Sequence, residues 1–137
     1  MREHLSKGLG FSKEDRDINV RRIGYVVGLV AKFEGVAVVA AISPYQAIRD
    51  ELKQKIGNFI EVFLDVPLEV CESRDVKGLY AKARSGAIGQ FTGVTDPYEP
   101  PLHPDVVLKT HQETLRQSVD KIILFLVNKG YLEAHQS

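Results

Sequence analysis

A stretch rich in cations and glycine, residues 74–101, has the clearest capacity for chemistry in this sequence. It reads RDVKGLYAKARSGAIGQFTGVTDPYEPP and contains four cations, Arg74, Lys77, Lys82 and Arg84, together with aromatic side chains that include Phe91. A long, partly helical insertion of this composition between two apolar strands is typical of a mobile lid over an anionic ligand. The alternative is a solvated surface loop whose charges only keep the protein in solution.

A second group of candidate binding residues lies in the amino-terminal segment. Its members are Arg2, Phe11, Arg16, Asn19, Arg21 and Arg22. Arginine suits sulfate and phosphate oxygens because its planar fork donates two aligned hydrogen bonds. Phe11 could stack on a purine, and Asn19, on the same helix face as Arg16, could hydrogen-bond a base or a sugar. In the alternative interpretation Phe11 is a hydrophobic staple and the arginines are solvated.

Caps and apolar spacing predict the helices that position these groups. Ser12 caps a first helix that ends at Gly35, and its apolar face is predicted to hold Ile18, Ile23, Val26, Val27, Val30 and Phe33. Ser43-Pro44 is predicted to cap a second helix that extends to about Ile56. A short helix is predicted over 67–73 and a final one from about Gln112 to Asn128.

Three apolar segments predict strands between these helices, at residues 36–42, 59–64 and 106–108. The first, VAVVAAI, is apolar at every position, which indicates a strand buried on both faces. Alternation of helices and strands predicts an α/β fold with a parallel sheet covered by helices. The carboxyl ends of the strands lie at Ser43, Asp65 and Thr110, and ligands of open α/β sheets bind beyond such ends.

Length and composition narrow the class of protein. A chain of 137 residues is predicted to form one domain, residues 1–137. Lys plus Arg and Asp plus Glu both number 18, so no cationic excess favours nucleic acid. The single cysteine, Cys71, fits a reducing cytoplasm, and no apolar run approaches the roughly 18 residues of a membrane span. We therefore expect a soluble, cytoplasmic protein that binds neither nucleic acid nor membranes.

Several motifs together resemble the adenylylsulfate kinase family, whose members phosphorylate the 3′-hydroxyl of adenosine 5′-phosphosulfate (APS). The lid stretch matches in KGLY-x-KAR-x-G-x-I-x-x-FTG followed by DPYEPP. Upstream, Arg2 matches the arginine of a DGDNVR-like motif, and LGFS, Asp15-Arg16, Asn19 and Arg21-Arg22 follow at the family's spacing. Ile42-Ser43-Pro44-Tyr45 matches ISP-F/Y. The resemblance covers nearly the whole chain and implies a P-loop-kinase-like three-layer sandwich.

The resemblance also implies roles for individual residues. The matching family positions bind APS, and they correspond here to Arg2, Phe11, Arg16, Asn19, Ile42, Ser43 and Phe91. Phe91 would close over the APS adenine opposite Phe11. Arg74 would pack on the ATP adenine, and Lys77 would contact the nucleotide. Lys77 and Ser43 are the implied catalytic positions, and the implied cofactors are ATP and Mg²⁺.

Three residue types also have a purely structural interpretation. A serine before proline is first of all a helix cap, which applies to Ser43. Cys71, beside an apolar residue on a short helix, fits a buried inert thiol better than a nucleophile. The four histidines show no metal-ligand spacing, so we assign no metal site to protein side chains.

The sequence departs from the family in one respect. No G-x-x-x-x-G-K-[ST] phosphate loop occurs in the 137 residues, and the two aspartates of the DGDNVR-like motif are not among them either. We therefore expect the fold to be incomplete at its amino terminus, with this chain as the carboxyl-terminal part of a kinase domain whose lid covers about residues 75–101. The activity of this chain by itself is in doubt on the same ground.

Two function classes follow from the match and the departure. The first is an enzyme that transfers the ATP γ-phosphoryl group to APS, giving 3′-phosphoadenosine 5′-phosphosulfate (PAPS) in sulfate assimilation. The second is an inactive module that binds APS or PAPS for regulation. Either could form a homodimer or associate with a fused or separate ATP sulfurylase.

Overall fold

The protein is described from a computed structural model that covers residues 3–75 and 77–133. The chain divides into two compact units, which are described separately. One combines the chain up to Phe59 with Asp75–Pro100, and the other combines Ile60–Arg74 with the chain from Pro101. Within the described ranges, no helix is long and apolar enough to cross a membrane. That residues 1–137 form one domain stays a prediction.

The first unit begins with helix α1, Lys13–Lys32, which starts where the sequence predicts. The Ser12 hydroxyl accepts a hydrogen bond from the Asp15 amide at 3.1 Å, and the Asp15 carboxylate accepts one from the Gly10 amide at 3.0 Å. These two bonds satisfy donors that a helix start leaves without intrahelical partners. They also fix the backbone on both sides of Phe11, where the chain enters α1.

Helix α2, Gln46–Ile56, packs on α1 through a small apolar core of Val20, Tyr45, Ile48 and Leu52. The buried stripe of α1 is Val20, Ile23 and Gly24. The prediction of the buried face of α1 is therefore largely wrong. Of the six residues predicted for it, Ile23 alone is buried, and Phe33 is 85% exposed. The stripe is narrow because α1 packs against one helix, α2, on this side.

The segment predicted to be a lid, about residues 75–101, is called the lid below, and it contains helix α4, Leu79–Arg84, near its start. The Asp75 carboxylate accepts the Leu79 amide at 2.8 Å and the Ala81 amide at 3.0 Å. An aspartate four residues upstream thus caps the helix, because Gly78 at its N-cap position has no side chain to do so. This segment therefore has a defined helix start, and its role as a lid stays a prediction.

The second unit holds strands β1, Val62–Leu64, and β2, Val106–Leu108, with helices α3, Leu68–Ser73, and α5, Leu115–Asn128. The strands pair in parallel with Val62 opposite Val106, which confirms the α/β class with a parallel sheet. The predicted strand 59–64 is three residues longer than β1. Helix α5 begins three residues later than predicted because Thr114 and Gln117 form a capping box there.

The predicted strand over residues 36–42 does not form. This segment has no regular secondary structure, and Val36 and Val38 are 92% and 95% exposed. The sheet found in the described ranges contains only β1 and β2. A strand requires a hydrogen-bonded neighbour, and an apolar composition alone does not supply one. The prediction of a strand buried on both faces is therefore wrong for this structure.

The contact between α1 and α2 yields a prediction on two helical glycines. A Cβ added at Gly24 would lie 2.4 Å from a methyl carbon of the buried Leu52, whereas one at Gly28 would meet Ile56 at an ordinary 3.9 Å. Gly28→Ala should stabilise the protein by about 0.5–1 kcal/mol through helix propensity. Gly24→Ala should destabilise it, because overpacking costs about 1–3 kcal/mol. Urea unfolding of both variants checks this, and equal stabilisation by both would contradict the described packing.

Candidate functional site

Arg16, in the first turns of α1, links the amino-terminal segment to the lid. Its Nε donates to the carbonyl of Phe11 at 2.9 Å. One terminal nitrogen donates to the Thr92 hydroxyl and lies 3.6 Å from the Asp96 carboxylate, and the other donates to the Gln90 carbonyl. The Arg16 side chain is only 13% exposed. It therefore joins the two segments that hold the predicted aromatic contacts.

The two predicted aromatic residues lie on the segments that Arg16 joins. Phe11 is 47% exposed, and Phe91 is half-buried with its ring 5.0 Å from that of Tyr80 in an edge-to-face arrangement. The Phe91 carbonyl accepts amides from the next turn of the lid, those of Val94, Thr95 and Asp96. Phe91 is thus held by its own turn and by Tyr80.

Asn19 faces the same side of α1 as Arg16. Its side-chain oxygen accepts a hydrogen bond from the Ser6 hydroxyl at 2.7 Å, and the residue is half-buried. This bond fixes the amide orientation and leaves the NH₂ group as the part of the side chain suited to a ligand acceptor. Asn19 therefore stands near Arg16 in a defined orientation.

Asp96 ties the lid to the start of α2. Its carboxylate accepts a hydrogen bond from the Tyr45 hydroxyl at 2.6 Å and is also the group that Arg16 approaches. Tyr45 is 4% exposed. Burial raises the pKa of Tyr45 to about 12, and the hydrogen bond to Asp96 contributes to the shift. A carboxylate shared by a phenol and a guanidinium makes this a charge-assisted network.

Arg49 provides a second tie between α2 and the lid. It is buried, and its guanidinium donates to the Ser43 carbonyl at 2.7 Å and to the Glu99 carbonyl at 2.6 Å. The ring of Tyr98 lies 5.8 Å from the guanidinium carbon. The segment DPYEPP, which resembles the end of the family's lid, thus anchors the lid to α2.

The prediction that Ser43 caps α2 is wrong. The helix begins at Gln46 with Tyr45 at its N-cap, so Pro44 precedes the helix. The Glu99 carboxylate accepts the Gln46 amide at 2.6 Å, and the Glu99 amide donates to the Pro44 carbonyl at 2.8 Å. A lid residue therefore supplies the capping oxygen that a local serine was predicted to supply.

Ser43 instead adopts a left-handed backbone conformation, with φ of 40°. For a residue with a side chain this conformation costs about 1–3 kcal/mol and persists only when its surroundings hold it. The bond from Arg49 to the Ser43 carbonyl is such a restraint. Ile42, which precedes it, is 66% exposed.

Two further candidates have described positions, and one has not. Lys77 is exposed in the turn before α4. Arg74, in the second unit, donates to the Thr110 carbonyl at 3.1 Å. Arg2 lies outside the described residues. In the ranges 3–75 and 77–133, no group of three His, Cys, Asp or Glu side chains is arranged to hold a metal ion.

In the first unit Arg16 therefore joins the segments that contain Phe11 and Phe91, and Asn19 lies three residues further along the same helix. Sequence reasoning gave no structural role to the residues that fix these segments and the start of α2. They are Tyr45, Arg49, Thr92, Asp96 and Glu99, and all but Arg49 lie within the matched motifs. One signal was available for Arg49. It lies between Ile48 and Leu52 on the apolar face of α2, where a charged side chain requires buried acceptors.

Comparison with known proteins agrees with the motifs. The family model for adenylylsulphate kinase matches residues 1–109. An adenylyl-sulfate kinase of Synechococcus sp. (strain JA-3-3Ab) is 56% identical over 97% of this chain and 76% of its own length. A probable adenylyl-sulfate kinase of Synechocystis sp. is 59% identical over 97% of this chain and 75% of its own length.

Solved structures show the same likeness. The Mycobacterium tuberculosis APS kinase CysC, in complex with AMPPNP and APS, has a TM-score of 0.83 at 41% identity over 91% of this chain and 74% of that one. A hexameric APS kinase from Thiobacillus denitrificans has a TM-score of 0.69 at 32% identity over 96% of this chain and 22% of that one. These matches define a kinase of the P-loop fold class. The chain belongs to the adenylylsulfate kinase family.

The Tyr45–Asp96 bond yields a prediction on pH. The folded protein keeps Tyr45 protonated up to about pH 12, whereas an unfolded tyrosine titrates near pH 10. The contribution of Tyr45 to stability is therefore complete below about pH 10 and is lost as the pH rises through about 12. Tyr45→Phe should cost about 1.5–3 kcal/mol at pH 8, as expected for a hydrogen bond to a charged group.

Urea unfolding of both proteins between pH 8 and 12 measures this contribution, because titrations common to the two proteins cancel in the difference. The difference in unfolding free energy between the wild-type protein and Tyr45→Phe should stay constant to about pH 10 and then decrease. A gap that is absent at pH 8, or unchanged to pH 12, would show that the hydroxyl does not donate to Asp96.

Proposed function

We propose that this chain binds APS as an adenylylsulfate kinase, an enzyme that transfers the γ-phosphoryl group of ATP to the 3′-hydroxyl of APS and yields PAPS. The observation that carries the proposal is the Arg16 network. It joins the segment of Phe11 to the segment of Phe91, and in a member of this family these are the two aromatic residues expected beside the adenine. The APS complex of the structurally similar M. tuberculosis kinase supports the choice of ligand.

The adenine would lie between the Phe11 and Phe91 rings, since aromatic faces stack on purines. Asn19 is proposed to bind the base or the sugar through its NH₂ group. Ile42 and Ser43 are proposed to border the sulfate with their backbone, and the exposed position of Ile42 is compatible with ligand access. Arg2 is proposed for the same ligand by resemblance alone.

The second nucleotide is proposed to bind through Arg74 and Lys77. Arginine can stack on an adenine face, and a lysine at the start of the proposed lid can place its charge against phosphate oxygens. Lys77 would then be catalytic, because phosphoryl transfer depends on positioning and on stabilising charge around the transferred group. Ser43 is proposed as a further catalytic position by resemblance.

ATP and Mg²⁺ enter this proposal through the family. The carboxylate and phosphate-loop groups that hold Mg²⁺ in P-loop enzymes are a Walker-type Ser or Thr and an Asp. The 137 residues contain no such loop, and the described side chains provide no metal-binding cluster. The residues present therefore do not fit a Mg²⁺ site, and we assign no residue of this chain to the metal.

We also propose a cellular compartment and protein partners for this chain. The single cysteine supports a reducing compartment such as the cytoplasm. Association as a homodimer, or with an ATP sulfurylase, is proposed by resemblance, and the T. denitrificans relative is described as a hexamer. The lid at about 75–101, within one kinase-like domain, is part of the same proposal.

Calorimetric titration with APS and with ATP tests the proposed function. We expect APS to bind more tightly than ATP, because the APS side of the site is present and the phosphate loop is not. Phe91→Ala should weaken APS binding roughly 5- to 150-fold, since stacking of one base on an aromatic ring is worth about 1–3 kcal/mol. Phe33→Ala is the matched control, because Phe33 is 85% exposed and lies outside the site.

Tighter binding of ATP than of APS, or equal loss in the two variants, would contradict the proposal. Adding Mg-ATP to the APS-loaded protein then separates an enzyme from the alternative regulatory module. Turnover in the range of about 1–100 s⁻¹ that is typical of kinases would establish an enzyme. Binding of APS without formation of PAPS would favour the regulatory module.

A further inference from the structure

The turn that precedes α1 lies against the part of the helix that carries Asn19. The Ser6 hydroxyl donates to the Asn19 side-chain oxygen at 2.7 Å, and both residues are half-buried. An asparagine amide can offer a ligand either its oxygen, an acceptor, or its NH₂ group, a donor of two hydrogen bonds. Because the oxygen is bound to Ser6, the NH₂ group is the arm of the amide that remains for a ligand.

A second residue of α1 holds the turn on which Ser6 lies. Arg22 is three residues beyond Asn19 and therefore shares its face of the helix. One terminal nitrogen of Arg22 donates to the Leu5 carbonyl at 2.9 Å and to the Lys7 carbonyl at 3.4 Å. These carbonyls flank Ser6 in sequence. The position of Ser6 relative to Asn19 therefore depends on Arg22.

We propose that Ser6 is a positioning residue, which fixes the Asn19 amide with its NH₂ group towards the substrate, and that Arg22 keeps Ser6 in place for this role. The inference deepens the proposed function and rests on it, because it takes APS as the substrate. Without the Ser6 hydroxyl the Asn19 amide turns more freely, and ordering it on binding costs affinity.

The fixed amide also restricts which atom of the substrate Asn19 can bind. An NH₂ group pairs only with acceptors, such as a ring nitrogen of the purine or an oxygen of the ribose. The exocyclic amino group of adenine is a donor and is therefore excluded as its partner. Ser6 thus selects the class of substrate atom that Asn19 recognises.

A double-mutant cycle on APS binding tests this role by calorimetry. Ser6→Ala should weaken APS binding about 2- to 13-fold, the loss expected for one neutral hydrogen bond, and Ser6→Thr should restore the affinity because it keeps a hydroxyl. In an Asn19→Ala background, Ser6→Ala should have no further effect, because the side chain that Ser6 positions is gone.

The matched control is Ser73→Ala. The Ser73 hydroxyl is exposed and donates to the Val70 carbonyl within α3, so its removal should leave APS affinity unchanged. An equal loss from Ser6→Ala in the wild-type and Asn19→Ala backgrounds, or no loss in the wild-type background, would overturn the proposal.

A second measurement needs no ligand. Proton–nitrogen NMR observes the side-chain NH₂ group of Asn19, whose signal is identified by its disappearance in Asn19→Ala. Ser6→Ala should shift this signal, because it removes the hydrogen bond to the amide oxygen, and Ser6→Thr should return it close to its wild-type position. An unshifted signal in Ser6→Ala would overturn the proposal.

Hydrogen exchange of the Leu9 amide separates positioning from a purely structural role. This amide donates to the Ser6 carbonyl at 3.2 Å and so reports whether the turn is intact. Its exchange should keep the wild-type rate in Ser6→Ala and become about tenfold faster in Arg22→Met, which removes the donors to Leu5 and Lys7. Faster exchange in Ser6→Ala, or an unchanged rate in Arg22→Met, would overturn the proposal.

These measurements distinguish this inference from the proposed function. If wild-type protein does not bind APS, the proposed function fails and the role of Ser6 towards that substrate fails with it. A shifted Asn19 signal in Ser6→Ala would then still establish the bond between the two side chains. If wild-type protein binds APS and Ser6→Ala binds it equally tightly, the proposed function stands and the positioning role is wrong.

Discussion

The buried guanidinium of Arg49 is the constraint on which the arrangement of the first unit depends. A charged side chain withdrawn from water must find acceptors, because an uncompensated buried charge is very costly. Arg49 takes the carbonyls of Ser43 and Glu99, one on each side of α2's amino terminus. The turn before α2 and the end of the lid are therefore held at fixed positions, although they are more than 50 residues apart in sequence.

A second arginine repeats this arrangement nearer the proposed site. Arg16 holds the Gln90 carbonyl as Arg49 holds that of Ser43, and both carbonyls belong to residues in the left-handed conformation. Such strained conformations concentrate at functional sites, where the surroundings supply the restraint. Asp96 connects the two arrangements, since it contacts both Arg16 and the Tyr45 that begins α2. Residues 90–99 of the lid are thus anchored by Arg16 of α1 and by Tyr45 and Arg49 at the start of α2.

Much of the fold follows from local sequence. The Ser12 cap of α1, the bounds of β2 and the end of α2 at Ile56 agree with caps and apolar runs, because these depend on neighbours in sequence. Residues 36–42 show where prediction from local sequence fails. Their composition indicates a strand, but strand pairing depends on a neighbouring strand that local sequence does not reveal. Ser43 shows the same limit, because its predicted capping role is taken by Glu99 from a distant segment.

The candidate site likewise has a part that the sequence predicts and a part that only the folded structure shows. Residue type and motif identify Phe11, Arg16, Asn19 and Phe91 as candidates. The motifs also contain Tyr45, Thr92 and Asp96, but only the folded chain shows which contacts these three residues make. Resemblance to a family indicates which residues contact a ligand. The contacts that hold those residues in place are long-range, and they become visible only in three dimensions.

Arg49 is expected to hold residues 43–49 and 96–100 as one cooperative unit. Native-state hydrogen exchange of two amides tests it directly, namely that of Gln46, which donates to the Glu99 carboxylate, and that of Glu99, which donates to the Pro44 carbonyl. In Arg49→Met both amides should exchange faster by the same factor, because one opening exposes both. Arg116→Met serves as the surface control. Faster exchange at Glu99 with unchanged protection at Gln46, or no change at either amide, would contradict the account.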